Sequence, residues 1–159
     1  GVPDIRIIVF KGFPVMAMTR LPTAMSGGRA NLHQGAIGAG IDLATGRTTY
    51  AVFRNRIINR HPETGAEIAG HDIPGWSDIL TLAVRGFDMT GLGYLGVDVA
   101  LDAEKGPMVL EMNARPGLSI QLANLAGLKK RLDLFAGSSP EGLGPEQRVM
   151  RSMEIISGH

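Results

Sequence analysis

Three oxygen-bearing side chains interrupt two apolar runs late in the chain: Asp98 in Gly96-Val97-Asp98-Val99, and Glu111 and Asn113 in Leu110-Glu111-Met112-Asn113. An ionised carboxylate inside an apolar strand is costly without a partner, so something cationic should compensate it. Glu111 and Asn113 are two apart and share a face if their run is a strand. A four-residue loop, 103–106, would set Asp98 directly opposite Glu111, and all three side chains would converge. A loop one residue longer would send Asp98 to the other face. Facing carboxylates repel, and a hard divalent cation removes the repulsion. Oxygen-only ligands suit magnesium or manganese better than zinc, and magnesium commonly takes its remaining oxygens from phosphates. The spacing thus points to a metal–phosphate site. A strand edge whose carboxylates face water is an equal alternative. Arg115, in Asn113-Ala114-Arg115-Pro116-Gly117, leaves the strand nearby. It either meets a phosphate or substrate carboxylate or is a solvated turn residue.

Leu95–Leu101 and Pro107–Met112, around Asp102–Gly106, read as the hairpin that must carry these groups. Ile5–Phe10, a Lys11-Gly12 turn and Val15–Thr19 read as another. Ile41–Leu43 and Thr48–Phe53 flank an Ala44–Arg47 turn, and Asn55–Asn59 extends the meander. Ser26–Gly40 is polar and glycine-rich and reads as a surface loop approaching a ligand. Ser77 is the expected N-cap, with Asp78 in the first turn, of an amphipathic helix carrying Ile79, Leu80, Leu82, Ala83, Phe87 and Met89. Gly91 and Gly93 stop it. Ser119–Leu128 reads as a second helix, Lys129–Arg131 as its basic end, and Pro145–Ile156 as a short terminal helix. The fold class is α+β, an antiparallel sheet with helices packed mainly on one face. Residues 1–135 read as one domain, and 136–159 as a linker with the terminal helix.

The chain has 159 residues, 44% hydrophobic and 19% charged, enough for a core and unlike a disordered chain. A net charge of +1 argues against a nucleic-acid or membrane-surface binder. The absence of cysteine excludes disulfides and thiolate metal sites. No apolar run approaches the roughly 20 residues that span a bilayer, and no signal-peptide pattern opens the chain. These features fit a cytoplasmic location. The chain opens without methionine and runs at once into a strand-like segment, as a piece of a longer protein would.

Leu95-Gly96-Val97-Asp98, followed by Val109-Leu110-Glu111-Met112-Asn113-Ala114-Arg115-Pro116-Gly117, resembles the metal-binding signature of the ATP-grasp superfamily. Asp4-Ile5-Arg6 and Gly28-Arg29-Ala30-Asn31-Leu32-His33-Gln34-Gly35 are similar, in order and spacing, to the branch that ligates glutamate to a ribosomal protein tail. The resemblance covers roughly Asp4 to Leu128 and implies the C-terminal ATP-grasp subdomain of a carboxylate–amine ligase. Its cofactors would be ATP and Mg2+, or Mn2+. Its partners would be ATP, a carboxylate with glutamate as the candidate, and an amine acceptor. Asp98, Glu111 and Asn113 would hold the metal. Asp4 would lie near the ribose, and Arg29, Ala30 and Asn31 would touch the nucleotide. Arg20, Arg29 and Arg115 would be the catalytic arginines, with Arg20 resting on the weakest spacing.

The earlier half of such enzymes, with its phosphate-binding lysines, has no counterpart here. Lys11, Lys105, Lys129 and Lys130 stand elsewhere, so the chain alone is expected to be inactive. His61-Pro62-Glu63-Thr64-Gly65 and Gly70–Trp76 depart from the ribosomal-tail branch. They look more like ATP-grasp proteins associated with sugar transfer, or an uncharacterised glutamate-ligase-like group. A ligase acting on a cell-surface or sugar-linked precursor, and a non-catalytic nucleotide-binding module, are the competing readings. Without the resemblance, Asp4 and Arg6 are equally a surface pair on one strand face.

Overall fold

The computed structural model describes residues 4–21, 23–24, 27, 35–116 and 127–159. Among these residues seven strands form one antiparallel sheet: β1 (Asp4–Phe10), β2 (Phe13–Leu21), β3 (Ile37–Ile41), β4 (Thr48–Phe53), β5 (Arg56–Ile58), β6 (Tyr94–Asp102) and β7 (Gly106–Asn113). Their order across the sheet is β5-β4-β3-β2-β1-β6-β7. The helices among the described residues are α1 (Trp76–Thr90), α2 (Leu128–Asp133) and α3 (Pro145–Ser157). The chain meanders from β1 to β5, and α1 carries it back to the far side of β1. β1 therefore pairs with β2, its neighbour in sequence, and with β6, about 90 residues on.

Alternation along β1 sorts its side chains. Ile5, Ile7 and Val9 join Leu95, Val97 and Val99 of β6 under Ile79, Leu80, Ala83 and Val84 of α1. Burying a side chain such as Ile79 or Leu80 is worth about 1.5–3 kcal/mol. This face is the main seat of the core. Ile8 points the other way, with Met16 and Met18, and meets Leu128 of α2 and Phe135. α3 packs beside α1 near the β1–β2 turn, giving Val149 to the first cluster, while Ile155 is packed against the second. The α+β class and antiparallel sheet agree with the sequence.

Local differences have physical causes. Residues 37–40, expected within a loop, join Ile41 in a wholly buried strand: Gly38 and Gly40 pair with Arg20 and Met18, where glycine leaves a position without a side chain. Ser77 does not cap α1. Gly75, in the left-handed region (φ 67), precedes the helix without a side-chain cap bond, and Trp76 is its first residue. Trp76 is fixed independently, since its Nε1 donates to the Leu43 carbonyl at 2.8 Å and its ring covers Gly46. A Cβ at Gly46 would lie 2.5 Å from that ring. Lys129–Arg131 lie within α2, and the helix expected over Ser119–Leu128 falls almost entirely outside the described residues. None of the described helices is long and apolar enough to cross a membrane.

Candidate metal centre

The side of the sheet facing away from α1 carries a row of charge across three strands. Cross-strand register sets Asp4 beside Arg20 of β2, and Arg6 beside Asp98 of β6. Arg6 donates from Nε to Asp98 Oδ1 at 2.8 Å and from Nη2 to Oδ2 at 3.0 Å. Arg20 forks in the same way onto both oxygens of Asp4, and its Nη2 also lies 3.0 Å from Asp98 Oδ2. Charges of opposite sign thus alternate through Asp4, Arg20, Asp98 and Arg6. The expected Asp4–Arg6 surface pair is not formed: each reaches across to another strand, and both are largely buried.

Asp98 is 4% exposed and not at a strand edge, which removes the solvent-facing alternative for this residue. Burial alone would raise its pKa. Hydrogen bonds from Arg6, with the charges of Arg20 and Arg6, outweigh that and hold it below the usual carboxylate value. Burial opposes the charge on Arg20, but bonding to Asp4 and attraction to Asp98 and Asp4 raise its pKa overall.

Glu111 stands directly opposite Asp98 on β7, as convergence requires, though by a different route. Asp102 pairs with Gly106, so the loop has three residues, 103–105. Asp102 Oδ1 accepts the amides of Glu104 and Lys105 at 2.8 Å, and Gly106 takes φ 75. A regular ladder from that turn would set Asp98 against Leu110. A bulge intervenes: Val99 pairs with Val109, Asp98 with Glu111, and Leu110 is the extra residue. Glu111 is exposed, and its side chain makes no hydrogen bond or ion pair among the described residues.

Asn113 lies two residues on, opposite Gly96. Its Oδ1 accepts the Arg115 amide at 2.8 Å, which turns the chain out of the strand and back over Gly96. A Cβ at Gly96 would come 2.8 Å from Pro116 Cβ, so only glycine admits this return. Arg115 is exposed, and its side chain has no partner among the described residues. Arg29, Ala30 and Asn31 lie outside the described residues.

The donor set is two carboxylates and an amide, all hard oxygens, which fits magnesium or manganese. No group of three His, Cys, Asp or Glu side chains suited to a metal occurs among the described residues. An ion here would therefore draw further ligands from a bound molecule or water. Asp98 and Arg20 were singled out from sequence, and the structure brings them together with Asp4. Arg6 was missed as a site residue, because its partner is 92 positions away.

The stretch from Arg47 to Trp76, which holds the His61–Gly65 and Gly70–Trp76 segments and reads as an insertion relative to the ribosomal-tail branch, lies elsewhere. It is tied down by Arg47–Asp72 and Arg60–Glu67 bridges and by the Thr48 hydroxyl donating to the Ile68 carbonyl at 2.6 Å. His61 Nδ1 accepts the amides of Glu63 and Thr64, and His71 Nε2 donates to the Glu67 carbonyl. A mainly apolar cavity of ≈ 410 Å³ between the insertion and Ile5, Thr19 and Ala39 opens on the α1 side, away from the carboxylates.

The chain belongs to the sugar-transfer associated ATP-grasp family, whose model matches residues 1–136. Among solved structures it is similar to the ATP-grasp ligase PsnB complexed with a phosphomimetic variant of minimal precursor, Mg and ADP, at 14% identity and a TM-score of 0.43. It is also similar to PsnB complexed with minimal precursor, at 15% identity and a TM-score of 0.43. Each match covers 96% of this chain and 34% of the PsnB chain, so the chain spans about a third of that protein's length. No curated protein matches. The family is the sugar-transfer group that the insertion resembles, within the superfamily that the β6–β7 signature resembles.

Proposed function

We propose that this chain supplies the metal–nucleotide half of an ATP-dependent carboxylate–amine ligase. The observation that carries this reading is the pairing of Asp98 with Glu111, with Asn113 on the same face of β7. Asp98, Glu111 and Asn113 would hold Mg2+ or Mn2+. Magnesium–ATP, when bound, would supply the phosphoryl group that turns a carboxylate into an acylphosphate with release of ADP, and an amine would then displace phosphate from the acyl carbon to form the amide. The residues of this chain position and neutralise. Asp4 orients Arg20, Arg6 and Arg20 keep Asp98 ionised and fixed, and Arg115, whose side chain has no partner among the described residues, stands at the strand exit to meet a phosphate or substrate carboxylate. Asp4, Arg29, Ala30 and Asn31 are the proposed nucleotide contacts.

On this reading the triphosphate-binding lysines come from outside these residues, and the 159-residue chain by itself forms no amide bond. Glutamate remains the candidate acid. The family's description favours an acceptor or acid on a sugar-linked precursor over a ribosomal tail. A cytoplasmic enzyme fits the composition. The test is mass spectrometry of products made by the intact protein from ATP, Mg2+ and panels of acids and amines. The expected result is ADP together with an amide product. ATP left intact with every pair, or hydrolysed without any acid–amine product, would count against ligation.

A further inference from the structure

The two oxygens of Asp98 are not equally free, and the inequality bears on which cation the site accepts. Oδ2 takes Arg6 Nη2 and Arg20 Nη2, each at 3.0 Å. Among the described residues Oδ1 takes only Arg6 Nε, at 2.8 Å. Two guanidinium nitrogens thus crowd Oδ2, one by a hydrogen bond and one as an ion pair, while Oδ1 meets a single one and keeps the more open lone-pair direction. Arg20 cannot readily withdraw, because Asp4 holds it by both oxygens. While the clamp stands, Asp98 can give a metal a single oxygen. Asn113 is limited similarly, since its Oδ1 already accepts the Arg115 amide.

Magnesium demands compact octahedral geometry and often takes one oxygen from each side chain. Calcium takes six to eight oxygens and readily accepts a carboxylate by both. We propose that Arg6 is a positioning residue that sets cation selectivity: by occupying Asp98 it denies calcium a two-oxygen ligand and leaves the single oxygen that suits magnesium or manganese. Arg6 acts through Asp98 and need not touch the ion. This inference rests on the metal–nucleotide reading above.

The test is calorimetric titration of Mg2+ and of Ca2+, each with ADP, onto the intact protein and its Arg6→Gln and Arg6→Lys variants. Arg47→Gln, which breaks only an exposed pair, is the control. Arg6→Gln is expected to lower the Mg2+-over-Ca2+ preference about tenfold, the scale on which groups behind metal ligands act. Arg6→Lys, charged but without the fork, should fall between Arg6→Gln and wild type. A purely structural role would weaken both cations alike, and an unchanged ratio overturns the proposal. Should Arg6→Gln fail to fold, a wild-type complex with Mn2+ and ADP decides. Asp98 binding through Oδ1 alone with Arg6 in place supports the proposal, and two-oxygen binding or a displaced Arg6 overturns it. Wild-type protein that binds neither cation with ADP removes the metal–nucleotide reading and this inference with it. Binding of both with an unaltered ratio in Arg6→Gln removes this inference alone.

Discussion

Arg148 and the Arg6–Arg20 pair are both held by groups far away in sequence, but in opposite ways. Arg148 is 1% exposed: it donates to the carbonyls of Gly12 and Gly144, meets Asp88, and lies over the Phe87 ring at 5.5 Å. Those partners belong to a turn, a helix cap and a neighbouring helix, and together they fasten α3 to the rest of the fold. Arg6 and Arg20 instead meet two carboxylates on the side of the sheet that α1 leaves open, and one of those carboxylates faces Glu111. A cation among carbonyls and a ring is saturated and serves architecture. Cations alternating with carboxylates, beside a Glu111 whose side chain is unpaired among the described residues, leave oxygen over for a ligand.

Removing Arg148 should therefore have the largest effect on stability. Arg148→Ala strips the Gly12 carbonyl of its donor and the Phe87 ring of its cover, for a loss of about 3 kcal/mol in urea unfolding. Asp88 is half exposed and rehydrates, which limits the cost. Metal-dependent ADP binding by the fraction that remains folded should be unchanged, and a parallel loss would erase the distinction between the two regions.

Asp98→Ala should cost less, about 2 kcal/mol, because Arg6 loses its carboxylate but Arg20 keeps both oxygens of Asp4. The same residue predicts an acid dependence. Its folded pKa lies below the ordinary value of about 3.9, so its contribution is fully present above that value. The contribution is lost as pH falls through the lower, folded value. A stability profile over pH should show a shallower acid limb in Asp98→Ala than in wild type.

Glu111→Ala should move stability by less than about 0.5 kcal/mol, since the side chain is exposed and unpaired among the described residues. A loss as large as that of Asp98→Ala would show that Glu111 belongs to the structural network rather than to an open site.

What the sequence disclosed depended on how local the information was. The periodicity of Ile79, Leu80 and Ala83 marked α1, and apolar runs marked β6 and β7. The convergence of Asp98 and Glu111 was anticipated from a four-residue loop, but arises from a three-residue loop and a bulge at Leu110. Two one-residue departures cancel, and neither has an evident signature in the residues themselves. The glycines of Ile37–Ile41 suggested a loop because glycine is poor in strands on its own account; the burial that overrides this comes from flanking strands. The Arg6–Asp98 pair was beyond local reading, since it depends on β1 pairing with a strand about 90 residues away.

The central claim is that Asp98 and Glu111 together form the metal end of a nucleotide site. Its most direct measurement is titration of Mg2+ and ADP onto the intact protein, with Glu111→Ala and Asp98→Ala alongside and folding checked by unfolding curves. Metal-dependent ADP binding is expected to weaken roughly tenfold or more in each variant, including Glu111→Ala, whose stability is intact. Unchanged metal-dependent binding in both variants would contradict that claim.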